Sequence, residues 1–133
     1  MFNQLMIDID GDMQRSSPGI NRVLEQVACA PVVLYLRGTP EFPQCGFSRQ
    51  VIGALRACKA AFAYVNVLDD FEARQAVKFI SGWLTFPQLY VNGELLGDAD
   101  IVMQLYRSGE LRQLLESADA THPRDARGVP VGF

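Results

Sequence analysis

Histidine and cysteine are both scarce in this sequence. Its 133 residues include one histidine and three cysteines, which are Cys29, Cys45 and Cys58. An odd number of widely spaced cysteines does not resemble a disulfide framework, and the spacing does not suggest a conventional zinc site either. We therefore expect free thiols and a reducing compartment, which predicts a cytoplasmic protein.

An excess of basic charge and long apolar runs are also missing. Twelve Lys and Arg residues face fifteen Asp and Glu residues, a formal net charge of -3, so no basic surface for nucleic acid is expected. No apolar run approaches the length that crosses a bilayer, so we expect no membrane partner. Residues 1–10 are acidic and lack a basic region, which argues against a secretory signal and an Arg-rich transit peptide.

The length and an apolar fraction of 49% suit one globular domain. Residues 1–15 show no clear periodicity, and we interpret them as a flexible lead-in. Residues 16–117 are predicted to form the domain. Residues 118–133 are polar, with proline, glycine and scattered charge, and are predicted to form a flexible tail.

Cys45 lies between a predicted strand and a predicted helix. The apolar run 32–36 is typical of a buried strand, and a helical pattern runs from about 47 to 60. A cysteine at a helix start faces unpaired N–H groups and the positive end of the helix dipole, which favour the thiolate. Three positions on stands Ser48, so no internal disulfide can form. The alternative, that Cys45 is a small buried apolar residue, stays open on this motif alone.

The other elements follow from local patterns. Ser17-Pro18 begins a helix whose apolar stripe is predicted to be buried. The members of that stripe are Ile20, Val23, Leu24 and Val27. A second strand is predicted at 62–67, followed by a helix that Asp69 and Asp70 cap and Gly82 ends.

The carboxyl-terminal half carries a hairpin signal. Two short apolar runs flank Asn92-Gly93, which favours a type I′ turn. Pro87 enters the first of these runs, where a cis peptide bond is expected. Asp98 and Asp100 precede another helix, and Leu111 lies in a short last one.

The order of elements predicts an α/β protein with the thioredoxin fold, a mixed four-stranded sheet flanked by helices.

Two cysteines and two basic residues have ordinary interpretations. Cys58 and Cys29 fall on predicted core faces, and we expect both to be buried thiols rather than redox groups. Arg74 and Lys78 share one helix face at a spacing of four residues. Spacing alone favours a solvated cationic face over a site for an anionic ligand.

These motifs together resemble the monothiol glutaredoxins of the CGFS type. The segments that match are Cys45-Gly46-Phe47-Ser48, Thr85-Phe86-Pro87-Gln88-Leu89, Asn92-Gly93 and Asp100-Ile101-Val102. The likeness covers roughly residues 17–117 in element order. It implies the thioredoxin fold and a glutathione-dependent function.

The resemblance also implies a cofactor. Members of the family use glutathione as a co-substrate and as a ligand for iron, so Cys45 would be both nucleophile and iron ligand. A [2Fe–2S] cluster normally takes four thiolates. Two subunits and two glutathione thiols would supply them, which implies a homodimer when cluster-bound and a monomer when apo. Iron–sulfur apo-proteins and BolA-like proteins are the implied partners.

Glutathione-binding positions carry over residue by residue. Arg74 would pair with the glycine carboxylate, and the backbone of Phe86 would bind the cysteinyl part. The backbone of Ala99 and the side chain of Asp100 would hold the γ-glutamyl end. Arg37 occupies the position of a family lysine near the glutathione and the thiolate.

Three departures from the family pattern have consequences. Arg37 keeps the charge of the lysine but makes a bulkier, planar contact. Leu84 follows Trp83 where proline is usual, which removes a constraint on that loop. Asp98 stands where a second glycine is usual and adds negative charge beside the implied carboxylate site, and Ala99 removes the position of a second redox cysteine.

Three functions follow as hypotheses. The first is a carrier that assembles and transfers a [2Fe–2S] cluster in iron–sulfur protein biogenesis. The second is a monothiol oxidoreductase that removes glutathione from protein mixed disulfides. The third is a thioredoxin-like scaffold that only binds a partner, which loss of glutathione binding through Asp98 would produce.

Overall fold

The computed structural model describes residues 18–121, and its elements follow the predicted order. The elements are α1 (Pro18–Cys29), β1 (Val32–Leu36), α2 (Gly46–Ala57), β2 (Ala63–Asn66), α3 (Phe71–Ser81), β3 (Gln88–Val91), β4 (Glu94–Gly97), α4 (Ala99–Ser108) and α5 (Glu110–Thr121). Among the described residues, no helix has the length and apolar character needed to span a membrane.

The four strands form one mixed sheet in the order β2-β1-β3-β4. Strands β1 and β2 run parallel, with Val33 opposite Ala63, because a crossover through α2 joins them. Strands β3 and β4 form an antiparallel hairpin, and β3 pairs antiparallel with β1. This is the mixed sheet of the thioredoxin fold that the element order predicted.

Strand β1 is buried along its whole length because helices cover both faces of the sheet. Alternate side chains point to opposite sides. Leu34 and Leu36 pack in the core under α2, α4 and α5, whereas Val33 and Tyr35 pack in the core under α1 and α3. The loop after β1 therefore starts from the most firmly held strand of the molecule.

Local signals place the element ends where they were expected. Asp70 caps α3 by accepting the N–H of Ala73 at 3.0 Å, and Gly82 ends that helix in the left-handed region. Asn92 and Gly93 both have positive φ, as a type I′ turn requires. The Phe86–Pro87 peptide bond is cis, as predicted.

The carboxyl-terminal boundary needs a correction. Helix α5 runs to Thr121, and Ala118 is 2% exposed in the core, so the prediction of a flexible tail is wrong for residues 118–121. Leu111, Leu115 and Ala118 of α5 are all buried, so the packed face of this helix extends beyond the short leucine pattern. The predicted lead-in at 1–15 and the rest of the tail lie outside the described residues.

Two expectations about burial are also corrected. Leu24 was expected in the buried stripe of α1, but it is 50% exposed, because Val23 and Val27 face the sheet and Leu24 lies on the edge of that face. Cys58 is buried as expected, whereas Cys29 at the end of α1 is only half-buried. Neither of these two cysteines lines the cleft beside Cys45 that is described below.

Candidate functional site

A tightly closed loop delivers Cys45 from β1 to the start of α2. Within it, Gly38 and Pro43 form an antiparallel bridge, and the N–H of Gln44 donates to the carbonyl of Arg37 at 2.9 Å. Gly38 has a φ of 101°, and a Cβ there would lie 2.5 Å from the carbonyl oxygen of Phe42. Only glycine therefore fits this turn, and the loop holds the cysteine in one position.

Cys45 is the N-cap residue of α2. Its backbone is extended, and its Sγ accepts the N–H of Ser48 at 3.4 Å. The Ser48 hydroxyl oxygen lies 3.2 Å from Sγ, and it accepts from the thiol or, once the thiol is ionised, donates to the sulfur. Ser48 is fully buried, so its hydroxyl is directed at the cysteine rather than at water.

These contacts favour the thiolate of Cys45. Partial burial raises the pKa of the thiol, but the Ser48 hydroxyl, the N–H groups of Ser48 and Phe47 and the charge of Arg37 lower it by more. The net pKa therefore lies below the ordinary value of a cysteine. The sulfur sits in an electropositive, partly accessible setting, which is what a reactive thiol needs.

A cleft of about 440 Å³ opens beside the sulfur. It is lined by Arg37, Cys45, Phe47, Thr85, Phe86, Pro87, Asp98, Ala99 and Asp100. Five of the six residues that the sequence singled out therefore meet in one place. The sixth, Arg74, does not line the cleft.

The wall opposite the thiol is the cis-proline loop. The fully buried side-chain amide of Gln88 donates to the carbonyls of Trp83 and Thr85 at 3.3 and 3.1 Å, which ties this loop to β3. The guanidinium of Arg37 lies 6.0 Å from the ring centre of Phe86, at the limit of a cation–π contact. The sequence pattern around Gln88 does not show that a glutamine in this strand is buried, so it predicts no role for this residue.

The start of α4 closes the far end of the cleft. Asp98 is the N-cap residue, and its carboxylate accepts the N–H of Ile101 at 3.2 Å. Ala99 is buried, whereas the side chain of Asp100 is exposed at the cleft. Two helices, α2 and α4, thus begin at the same cleft, each with an anionic or ionisable cap.

Comparison with known proteins agrees with this geometry. The glutaredoxin family model matches residues 32–96. Glutaredoxin 4 of Escherichia coli (strain K12) is 43% identical over 106 residues, which cover 80% of this chain and 92% of that protein. The chain belongs to the glutaredoxin family. Its single cleft cysteine, with Ser48 in the third position after it, makes it a monothiol member.

One further relative supports the family assignment, and one solved structure supports the fold. Monothiol glutaredoxin-5, mitochondrial, of Saccharomyces cerevisiae is 49% identical over 113 residues, covering 82% of this chain and 75% of that protein. A crystal structure of a buckwheat glutaredoxin–glutathione complex superposes with a TM-score of 0.69, covering 86% of this chain and 98% of that chain. At 19% identity the second likeness shows the thioredoxin-type fold alone.

Arg74 of this glutaredoxin lies on α3, on the other side of the sheet from α2. Its side chain is half-buried, and its Nε is buried with no hydrogen-bond partner in the described structure. An unpaired buried N–H is costly, so an acceptor from a ligand would stabilise it. Arg74 is the one predicted glutathione-binding residue that lies outside the cleft.

One large apolar side chain beside the thiol of this glutaredoxin is exposed. Phe47 lines the cleft together with Cys45 and is 61% exposed. Within residues 18–121 no group of three or more histidine, cysteine or acidic side chains could hold a metal ion. The described part of one chain therefore offers a single sulfur at the cleft.

Proposed function

We propose that this glutaredoxin binds glutathione in the cleft and, as a homodimer, holds and transfers a [2Fe–2S] cluster in iron–sulfur protein biogenesis. The observation that carries the proposal is a single cleft cysteine whose thiol has a lowered pKa, with a buried serine where a second cysteine would be. Such a site has one sulfur and must obtain any other from outside the chain.

Glutathione suits the cleft chemically. An extended tripeptide can lie along the cis-proline loop, with its thiol toward Cys45 and main-chain pairing at Phe86. The ammonium of the γ-glutamyl end pairs with Asp100, and the adjacent carboxylate takes the N–H groups at the start of α4. Arg37 adds positive charge beside the two sulfurs.

Arg74 has a proposed role at the glycine end of glutathione. Glutathione ends in a glycine carboxylate, and the unpaired Nε of Arg74 is a donor that such a carboxylate satisfies. Because Arg74 does not line the cleft, this pairing needs its side chain to turn toward the ligand. Rotamer changes of this kind are common on binding.

The cluster follows from counting sulfurs. A [2Fe–2S] cluster is normally held by four thiolates, and Cys45 supplies one per chain. Two chains and two glutathione thiols complete the set. The exposed side chain of Phe47, which lies at the cleft, is apolar surface that a second chain would cover. The apo form is then a monomer, and iron–sulfur apo-proteins and BolA-like proteins are the proposed partners in the cytoplasm.

A second function is favoured by the accessibility and lowered pKa of the same sulfur. In that reaction the Cys45 thiolate attacks the glutathione sulfur of a protein mixed disulfide and releases the protein thiolate. A second glutathione thiolate then attacks the Cys45–glutathione disulfide, which frees Cys45 and forms glutathione disulfide. The two functions share the thiolate and the glutathione site.

Anaerobic reconstitution with iron, sulfide and glutathione separates the hypotheses. A coloured dimer that forms only with glutathione, and that is lost in Cys45→Ser, is the expected result. A colourless monomer that still binds glutathione would leave the oxidoreductase. A colourless monomer that ignores glutathione would leave only the binding scaffold.

A further inference from the structure

We propose that Asp98 is a specificity-determining residue that weakens glutathione binding by competing with the ligand for the amino-terminal end of α4. The inference rests on the proposed binding of glutathione in the cleft. Asp98 lines the cleft that also contains Cys45, and its side chain is half-buried there. Its charge therefore acts on whatever occupies that end of the cleft.

The position of the carboxylate is fixed by capping. Asp98 Oδ1 accepts the N–H of Ile101 at 3.2 Å, and its carbonyl accepts the N–H of Val102 at 3.0 Å. Of the first-turn donors, the N–H groups of Ala99 and Asp100 remain without an acceptor inside the helix. The positive end of α4 thus already carries one carboxylate, and an incoming anion must share it.

The other charges of the cleft do not offset this carboxylate. Among the lining residues, Arg37 is the one basic side chain, whereas Asp98 and Asp100 are acidic and both belong to the start of α4. Arg37 lies 6.0 Å from the ring centre of Phe86, and its charge acts on the sulfur of Cys45. The α4 end of the cleft is therefore negative apart from the helix dipole.

The chemistry of glutathione identifies the part of the ligand that is affected. Its only cation is the ammonium of the γ-glutamyl end, and the exposed carboxylate of Asp100 attracts it. The ligand's α-carboxylate is attached to the same carbon as that ammonium. Pairing the ammonium with Asp100 consequently brings the α-carboxylate to the first turn of α4, next to Asp98.

Asp98→Asn tests the competition with little structural change, because asparagine caps helices as well as aspartate does. We expect the Kd for glutathione to fall by about three- to tenfold at low ionic strength. The gain should largely disappear at about 1 M salt, where the Debye length is about 3 Å. Isothermal titration calorimetry or amide chemical shifts would measure both values.

Two controls make the assignment specific. Glu94→Gln makes the same change in net charge at an exposed position outside the cleft, and it should leave the Kd unchanged. N-Acetylcysteinylglycine keeps the thiol, an amide at the cysteine nitrogen and the glycine carboxylate, but it lacks the ammonium and the α-carboxylate of the γ-glutamyl end. Its affinity should be the same for the native chain and for Asp98→Asn.

The possible outcomes separate this inference from the proposed function. If the native chain binds glutathione and Asp98→Asn binds it equally or more weakly, the competition is wrong, and weaker binding would mean that Asp98 holds the ammonium. An equal gain for N-acetylcysteinylglycine would also overturn the assignment to the γ-glutamyl end. If neither protein binds glutathione, the proposed function fails and this inference fails with it.

Discussion

Helices α2, α4 and α5 cover one face of the sheet and α1 and α3 cover the other, and only α2 and α4 begin at the cleft. Cys45 caps α2 and Asp98 caps α4, and both caps line the cleft. Under these helices the core is built mostly from aliphatic side chains such as Leu34, Leu55 and Leu89. On the face that carries the thiol, an aliphatic core thus supports the two helices whose amino-terminal ends form the cleft.

The opposite face is held together by polar links as well as by packing. The hydroxyl of Tyr35 donates to Oε1 of Gln26 at 2.7 Å, and its ring meets that of Tyr90 edge-on at 5.6 Å. At the start of α3, Arg22 pairs with Asp70 at 3.0 Å. Burial raises the pKa of Tyr35, so its hydroxyl remains a proton donor at physiological pH.

The two faces of the sheet therefore have different roles. Chemistry at Cys45 depends on the helix starts of one face, whereas the other face supports the sheet without touching the sulfur. Arg74 on α3 is the proposed exception, because it would extend the binding site from the supporting face. Substitutions on the two faces should therefore differ in kind as well as in size.

The largest effect is expected from a substitution of Cys45, at the start of α2, and the matched control lies at the other end of the same helix. Cys45→Ser removes the nucleophile at the start of the helix and should lower the rate of deglutathionylation by more than about a thousandfold. Cys58→Ser changes a buried cysteine at the other end and should leave the rate nearly unchanged. Release of glutathione from a glutathionylated substrate protein would measure both rates, and equal losses in the two variants would contradict the placement of the chemistry at the start of α2.

The next largest effect is expected at Arg74, the proposed exception on α3. Arg74→Ala removes a charge-assisted donor and should raise the Kd for glutathione by about tenfold. Lys78→Ala removes the same charge one turn later on α3 and should have little effect. Calorimetric titration would compare them, and equal affinities for all three proteins would remove α3 from the binding site.

A pH profile tests the cap of α2. Ser48→Ala removes the hydroxyl that lowers the pKa of Cys45, so the pKa should rise. A thiolate forms as pH increases through the pKa, so the midpoint of the alkylation rate should move to higher pH. Ser108→Ala, at the far end of α4, is the matched control and should not move it. A midpoint that stays in place in Ser48→Ala would contradict the account of the thiol.

The smallest effect is expected on the supporting face. Tyr35→Phe leaves the Gln26 oxygen without its donor and should lower the free energy of unfolding by about 1 kcal/mol. The pH profile of Cys45 should not change, because Tyr35 lies on the other side of the sheet. Chemical denaturation and alkylation together would check this, and a shifted profile would show that the two faces are coupled.

Several features of the fold were predictable because they depend on local chemistry. Asp70 and Gly82 bound α3, and the turn at Asn92-Gly93 requires residues that tolerate positive φ. The Phe86–Pro87 bond is cis as expected, and Cys45 is the N-cap residue of α2. Asp70, Gly82, Asn92 and Gly93 are residue types that favour the cap or turn conformation they adopt, so these features could be predicted from local sequence.

Other features depend on contacts between distant segments. Gln88 is buried because the carbonyls of Trp83 and Thr85 satisfy its amide, which periodicity does not reveal. Leu24 matches a buried stripe but is exposed, because which side of α1 faces the sheet depends on how it packs against α3. The place of Arg74 outside the cleft is of the same kind, since it depends on the orientation of a whole helix.

The central claim is that one sulfur per chain must be complemented by the thiol of glutathione. The most direct test is the ratio of glutathione to iron in the reconstituted, chromatographed dimer. We predict about one glutathione per iron, because each chain contributes only Cys45 to a set of four thiolates. A cluster-loaded dimer that contains no glutathione would contradict the account.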